Sequence, residues 1–290
     1  MREIAILGPT ASGKTGLSID LAKKLNANIL SLDSLSIYKE IDIASAKPTP
    51  QERDGIKHFG IDALHVDDDF NVTVFFELYK EAKKASQEEG KNLIIVGGTG
   101  FYLKSMIDGI SPKPQIDQIT KHKVKHNLAI GYELIKEFDD VYASAISKND
   151  SYRIEKWLEI YFQTGIIPSQ YFEQNKREPI IKDIEIYEIK VQKETLLERI
   201  NLRTQNMLDD GLIDEVFYLE KKYTRAPNPM KAIGIIETLS FLDGYLSKKE
   251  LKEKIITNTA RLAKRQKTFN NSQFAAHIHE TKVKLKNIIL

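Results

Sequence analysis

The chain has 290 residues, 41% hydrophobic and 29% charged, with no cysteine and a formal net charge of +2. This composition excludes a wholly disordered chain, disulfides, Cys-ligated zinc and a thiol nucleophile. No run approaches ~18 apolar residues, so no membrane span is expected, and the N-terminus lacks the pattern of a secretory signal. The charge is uneven: residues 244–290 carry 11 Lys and Arg against 3 Asp and Glu, a local +8 on an otherwise mildly acidic body. Such a tail suits a polyanionic partner, although a solvated helix face gives the same signal.

In chain order, Glu3–Leu7 reads as a short buried strand, and Gly8-Pro9-Thr10-Ala11-Ser12-Gly13-Lys14-Thr15 follows it. Leu17, Leu21 and Leu25 then recur on one helical face. Residues 28–32 form a second strand ending at Asp33, residues 73–89 a helix, and residues 93–96 a third strand running into Gly97-Gly98-Thr99-Gly100. This alternation predicts a parallel α/β sheet. Ser111-Pro112-Lys113-Pro114 punctuates the pattern, and three helical stretches follow at 117–128, 132–146 and 151–163. Strand character returns at 184–191, so the expected division is a core of 1–112 and 183–290 with an inserted helical domain of 113–182. Helices follow over 196–220 and 232–243, and Ser247-Lys248-Lys249-Glu250 has capping-box spacing for a long helix to about 269. That helix carries a polar-basic stripe of Lys254, Asn258, Arg261 and Arg265.

The segment from Gly8 to Thr15 satisfies the full P-loop pattern in the required strand-to-helix context. Its backbone N–H groups can curl around phosphate at a helix N-terminus, Lys14 neutralises charge, and the Thr15 hydroxyl can ligate Mg²⁺. The third strand ends without the acid that an ordinary P-loop ATPase uses for metal. Asp33, at the end of the second strand, can instead hold metal or accept a proton, and a turn residue is an equal reading. Arg199 and Arg203, four apart, can reach phosphate or serve as surface ion-pair partners. Trp157 and Tyr161 read as core before base-stacking groups, and His58 as structural. His277 and His279 would not share a face of a helix, so no metal is assigned to them.

Taken in order, several segments resemble the tRNA dimethylallyltransferase family of P-loop prenyltransferases. They are Gly8–Thr15, Asp33-Ser34-Leu35-Ser36-Ile37-Tyr38, the 42–49 segment DIASAKPT, Val96–Tyr102, the 149–156 segment NDSYRIEK, Lys231–Gly234 and Arg265–Phe269. The resemblance implies a P-loop NTPase-like core with an inserted all-helical domain. The implied activity is transfer of a dimethylallyl group from dimethylallyl diphosphate, with Mg²⁺, to N6 of adenosine 37 beside the anticodon of tRNA. It implies phosphate contacts from Gly8, Pro9, Thr10, Ala11, Ser12, Gly13, Lys14 and Thr15, with Mg²⁺ on Thr15. Contacts to the anticodon stem-loop are implied for Asp33, Ser34, Leu35, Ser36, Thr99, Lys121, Tyr152, Arg153, Ile154, Glu155 and Lys156. Arg261 and Arg265 join these from the basic stripe. Asp33, Lys14, Thr15 and Lys121 are the implied catalytic set. The family's diphosphate-binding arginine, about 22 residues beyond Thr99, falls on Lys121, which keeps the charge but not the fork; Lys123 is the alternative register. A cytoplasmic monomer is expected. The competing readings are an adenylate isopentenyltransferase, a small-molecule P-loop kinase and an RNA-binding module without chemistry.

Overall fold

A computed structural model describes residues 1–98, 100–176, 178–274 and 277–290. They pack as two compact units, Met1–Ser105 with Ile181–Leu290, and Met106–Ile180. The expected boundaries at 112/113 and 182/183 compare with 105/106 and 180/181 here. The shift follows from Ile180 N–H donating to Met106 O at 2.8 Å, which closes the base of the insertion before the Ser111–Pro114 punctuation is reached.

The first unit is built on a six-stranded sheet: β1 (Glu3–Leu7), β2 (Ala27–Ser31), β3 (His58–Phe59), β4 (Asn92–Gly97), β5 (Glu185–Ile189) and β6 (Ile278–Glu280). The order is β3-β2-β4-β1-β5-β6 and every neighbouring pair is parallel. Central β1 is covered on both faces, which is why Ile4, Ala5, Ile6 and Leu7 run apolar without alternation. The first helices are α1 (Lys14–Leu25), the one-turn α2 (Pro50–Arg53), α3 (Val72–Glu88) and α4 (Gly100–Asp108). Leu17 and Leu21 of α1 pack on Ile4, Ile6, Ile29 and Ile94 of the sheet.

The second unit holds α5 (Gln118–Asn127), α6 (Gly131–Phe138), α7 (Asp140–Ala145), α8 (Ser151–Thr164) and α9 (Pro168–Gln174). The helix expected over 132–146 is broken at Asp139, whose backbone is non-helical (φ −145°, ψ 65°) and whose carboxylate starts α7 by accepting from Tyr142 N–H. The same buried carboxylate accepts from Trp157 Nε1 at 2.9 Å and Ser169 N at 3.1 Å. Burial pushes the Asp139 carboxyl up, but these hydrogen bonds outweigh it and hold it below its ordinary value. Trp157 is fully buried among Val124, Ile135, Ile154 and Leu158.

The chain then returns to the first unit through β5, α10 (Lys193–Asp209), α11 (Leu212–Tyr223), α12 (Ile235–Leu242), α13 (Lys248–Gln273), β6 and α14 (Lys282–Ile289). The single helix expected over 196–220 is split because Gly211 takes φ 102°, a left-handed conformation that only glycine adopts freely. Ser247 and Glu250 do form the reciprocal capping box that opens α13. Among the described residues, no helix is long and apolar enough to cross a membrane.

Trp157→Phe should leave one acceptor of the buried Asp139 carboxylate without its donor. The expected loss is about 1–3 kcal/mol, read by circular dichroism through urea denaturation. A Trp157 that served as a base platform would instead weaken RNA binding at unchanged stability.

Candidate active site

The loop between β1 and α1 forms one wall of a cleft of about 290 Å³. Thr10, Ala11, Gly13, Lys14 and Thr15 line it, facing Asp33, Ser36, Lys47, Arg199 and Arg203. Gly8, Pro9 and Ser12 shape the loop from within. Gly8 O and Pro9 O accept from Lys14 Nζ at 2.7 and 2.9 Å, and Ser12 N–H donates to Pro9 O. Burial depresses the Lys14 ammonium to about 8; Arg203 adds to the depression, while Asp33 and Glu188 oppose it. Arg199 Nη1 donates to Ser12 O at 3.2 Å, and Arg203 Nη2 to Ser45 O at 3.1 Å. Both arginines line the cleft from α10, the placement that the phosphate-reaching reading requires. With Lys14 they put three cations around a turn of backbone N–H groups, an arrangement suited to a di- or triphosphate.

Asp33 follows β2. Its Oδ1 accepts from Leu35 N–H at 2.8 Å and Ser36 N–H at 3.0 Å, so the carboxylate both builds the turn and faces the cleft. The turn reading and the functional reading of Asp33 are therefore compatible. Ser34 is exposed, Leu35 half-buried, and Ser36 buried at the cleft wall. The opposite rim is the 42–48 segment. Buried Lys47 ties it down by donating to Tyr38 O and to the carboxylates of Asp42 and Asp62. Glu215 of α11 accepts from the backbone N–H groups of Asp42, Ile43 and Ala44 at 2.7–2.9 Å. Burial raises the Glu215 pKa against the pull of these bonds. Sequence reading assigned no role to Glu215, which no local pattern distinguishes from a surface helix acid.

The third wall comes from α13. Gln266 Oε1 accepts from Thr10 N–H at 2.9 Å and Thr10 Oγ1 at 3.3 Å. A Cβ on Gly98 would lie 2.5 Å from Gln266 Nε2, so a side chain there would displace the amide that holds Thr10. Arg261 and Arg265 project from exposed positions of the same helix, and Phe269 lies edge-on to Phe101 with ring centroids 6.4 Å apart. Thr99 lies outside the described residues.

The residues chosen on α5 and α8 belong to the second unit. Lys121 and Lys123 are exposed on α5. On α8, Tyr152 and Arg153 are exposed and Glu155 is half-buried. Lys156 donates to Glu159 Oε1 at 2.6 Å and sits over the Tyr152 ring. Ile154 departs from the expected contact role: its side chain is 5% exposed and packs into the core of that unit. His58, on β3, has Nδ1 bonded to Ile56 O at 2.8 Å and its pKa lowered by burial, as befits a structural residue.

Among the described residues, the cleft lining offers hard oxygen donors, the Thr15 hydroxyl first among them, and no imidazole or thiol. That donor set fits Mg²⁺ shared with phosphate oxygens.

Comparison with known proteins gives consistent results. The profile of the family described as IPP transferase matches residues 36–273. The tRNA dimethylallyltransferase of Aliarcobacter butzleri is 56% identical over 274 residues, covering 94% of this chain and 93% of its own. That of Sulfurovum sp. is 53% identical over 294 residues, covering 100% and 98%. Among solved structures, the full-length tRNA isopentenylpyrophosphate transferase of Bacillus halodurans superposes with TM-score 0.72 at 29% identity, covering 99% and 95% of the two chains. A eukaryotic dimethylallyltransferase described as acting on tRNA gives TM-score 0.84 at 26% identity, covering 97% of this chain and 73% of its own.

The depressed Lys14 predicts proton uptake on ligand binding. Between its value of about 8 here and its ordinary 10.5, folded Lys14 has lost a proton that the unfolded chain keeps, so stability rises with pH across that window. A bound diphosphate draws the proton back. Calorimetry in buffers of different ionisation enthalpy should show uptake of nearly one proton per organic diphosphate at about pH 9 and little at about pH 7. Uptake that persists in Lys14→Met would assign it to another group.

Proposed function

The chain belongs to the IPP transferase family, and on that basis we propose that its cleft transfers a dimethylallyl group from dimethylallyl diphosphate to N6 of adenosine 37 of tRNA, releasing diphosphate. The observation that carries this reading is the pairing, in one cleft, of a phosphate-binding loop with a carboxylate that no phosphate contact requires.

As the allylic C–O bond breaks, negative charge grows on the leaving diphosphate. The loop amides, Lys14, Arg199 and Arg203 are placed to stabilise it. Thr15 would hold Mg²⁺, which when bound neutralises further charge on the leaving group. The adenine amino nitrogen forms the new C–N bond and becomes acidic as it does so. Asp33 accepts its hydrogen bond and then its proton. The base reaches the cleft only after leaving its stack, so the anticodon loop must be held while one nucleotide is extruded.

Contacts for that loop are assigned to Ser34, Leu35, Ser36, Lys121, Tyr152, Arg153, Glu155 and Lys156, and to Arg261 and Arg265 for the phosphate backbone. Ile154 contributes by packing α8 rather than by contact. The exposed cations of α13 support the backbone role, because phosphate contacts position RNA without reading sequence. The setting is a cytoplasmic monomer.

The test is incubation with labelled dimethylallyl diphosphate and Mg²⁺, with either bulk tRNA or AMP as acceptor. Label should enter tRNA alone. Lys14→Ala and Thr15→Ala should lower turnover about 10²–10³-fold while tRNA affinity stays near that of the parent. Label on AMP would establish the free-nucleotide reading instead, and phosphoryl transfer from ATP to a small acceptor would establish the kinase.

A further inference from the structure

Among the described residues, one set of three ligating side chains converges outside the lining of the phosphate cleft: Glu188, His277 and His279. One ligand atom from each lies within 4.8 Å of the other two. The register explains the convergence. β6 pairs parallel with β5, which sets His279 opposite Glu188. His277 lies just before β6, two residues ahead of His279, and the two imidazoles lie close together, with ring centroids 5.8 Å apart. Helical spacing would set these two residues on different faces, but His279 is on β6 and His277 stands just before it, and both rings meet Glu188.

The hydrogen bonds around Glu188 call for a cation. Its carboxylate is buried; one oxygen accepts from Asn270 Nδ2 at 2.9 Å and the other lies 2.9 Å from His277 Nε2. His277 Nδ1 is 2.7 Å from Phe274 O. A carbonyl only accepts, so Nδ1 carries the hydrogen, and a neutral ring then points the Nε2 lone pair at a carboxylate lone pair. A positive species must sit between them, either a proton or a metal ion. The Nδ1–H to carbonyl bond is the outer contact that orients most metal-binding histidines. Glu188 and His279 also line a second cavity, of about 750 Å³, walled by Leu196, Ile200, Ile256 and Ala263. It supplies an entry path and room for a water ligand.

We propose that Glu188, His277 and His279 bind one divalent first-row transition-metal ion, such as Zn²⁺, distinct from the Mg²⁺ of the phosphate cleft. Two imidazoles and one carboxylate suit Zn²⁺ and its neighbours, whereas Mg²⁺ prefers oxygen alone. The ion fastens edge strand β6 to β5 and, through the Asn270–Glu188 bond, steadies the last turn of α13.

The experiment uses tag-free, chelator-dialysed protein titrated with Co²⁺ and then Zn²⁺. One equivalent of Co²⁺ should bind with visible d–d absorption, Zn²⁺ should displace it, and the melting temperature should rise. His279→Ala should weaken binding at least about 10-fold, the loss produced even by removing a hydrogen-bond partner of a ligand. Glu188→Gln should do the same; His279 sits at the sheet edge, so its variant serves if the Glu188 variant fails to fold. His122 and His126, stacked one turn apart on α5, form the competing pair of imidazoles, and His122→Ala should leave the bound equivalent unchanged. Absence of binding, binding that survives His279→Ala, or binding lost in His122→Ala would overturn the proposal; the first of these would assign the cation between His277 and Glu188 to a proton.

Discussion

The buried side-chain amide of Gln266 ties the phosphate loop to helix α13. Its oxygen accepts the Thr10 N–H, and its nitrogen stands where a Cβ on Gly98 would have to go. The loop after β1, the loop after β4 and helix α13 therefore meet at one side chain that is 7% exposed. A side chain at Gly98 would displace that amide. It also couples the phosphate site to a helix whose outer face carries Arg261 and Arg265. A helix anchored by its buried face to the phosphate loop can present its exposed face to RNA at a fixed distance from the reacting carbon.

Electrostatics completes the arrangement. Lys14 and Arg203 are each pushed down by burial and each supported by the negative charge of Asp33. Asp33 therefore offsets cation burial before any ligand enters, and its turn bonds to Leu35 and Ser36 keep one oxygen fixed. In the proposed reaction the incoming diphosphate would take over the balancing of the cations and leave the carboxylate to meet the positive charge that develops on the attacking amine. Lys47 and Glu215 hold the facing rim, the buried Lys47 through Tyr38 O and two carboxylates, the partly buried Glu215 through three backbone N–H groups.

The features legible in the sequence were those written contiguously. The P-loop, the capping box at Ser247 and the apolar runs of β1 and β4 depend on neighbours within a few residues. The sheet and the helical insertion followed from their alternation. Features that depend on distant partners were not legible. Gln266 bonds a residue 256 positions away, and Glu215 meets a loop over 170 positions earlier. β3 has two residues and β6 three, too few to show alternation, so the strand that carries His279 was not legible. Gly211 and Asp139 broke helices that periodicity alone ran together. Arg199 and Arg203 were recognised as a pair, but only the folded return of α10 beside the P-loop decided what they face.

In the proposed reaction Asp33 takes the proton of the attacking amine and is not a primary metal ligand. The direct measurement is kcat of Asp33→Asn as a function of Mg²⁺ concentration. Asparagine keeps the size and one acceptor oxygen but cannot take the proton, so kcat should fall by about 10²–10⁴-fold. The Mg²⁺ dependence should match that of the parent. Recovery of most of the lost rate at high Mg²⁺ would contradict the account and place Asp33 with Thr15 in the metal site.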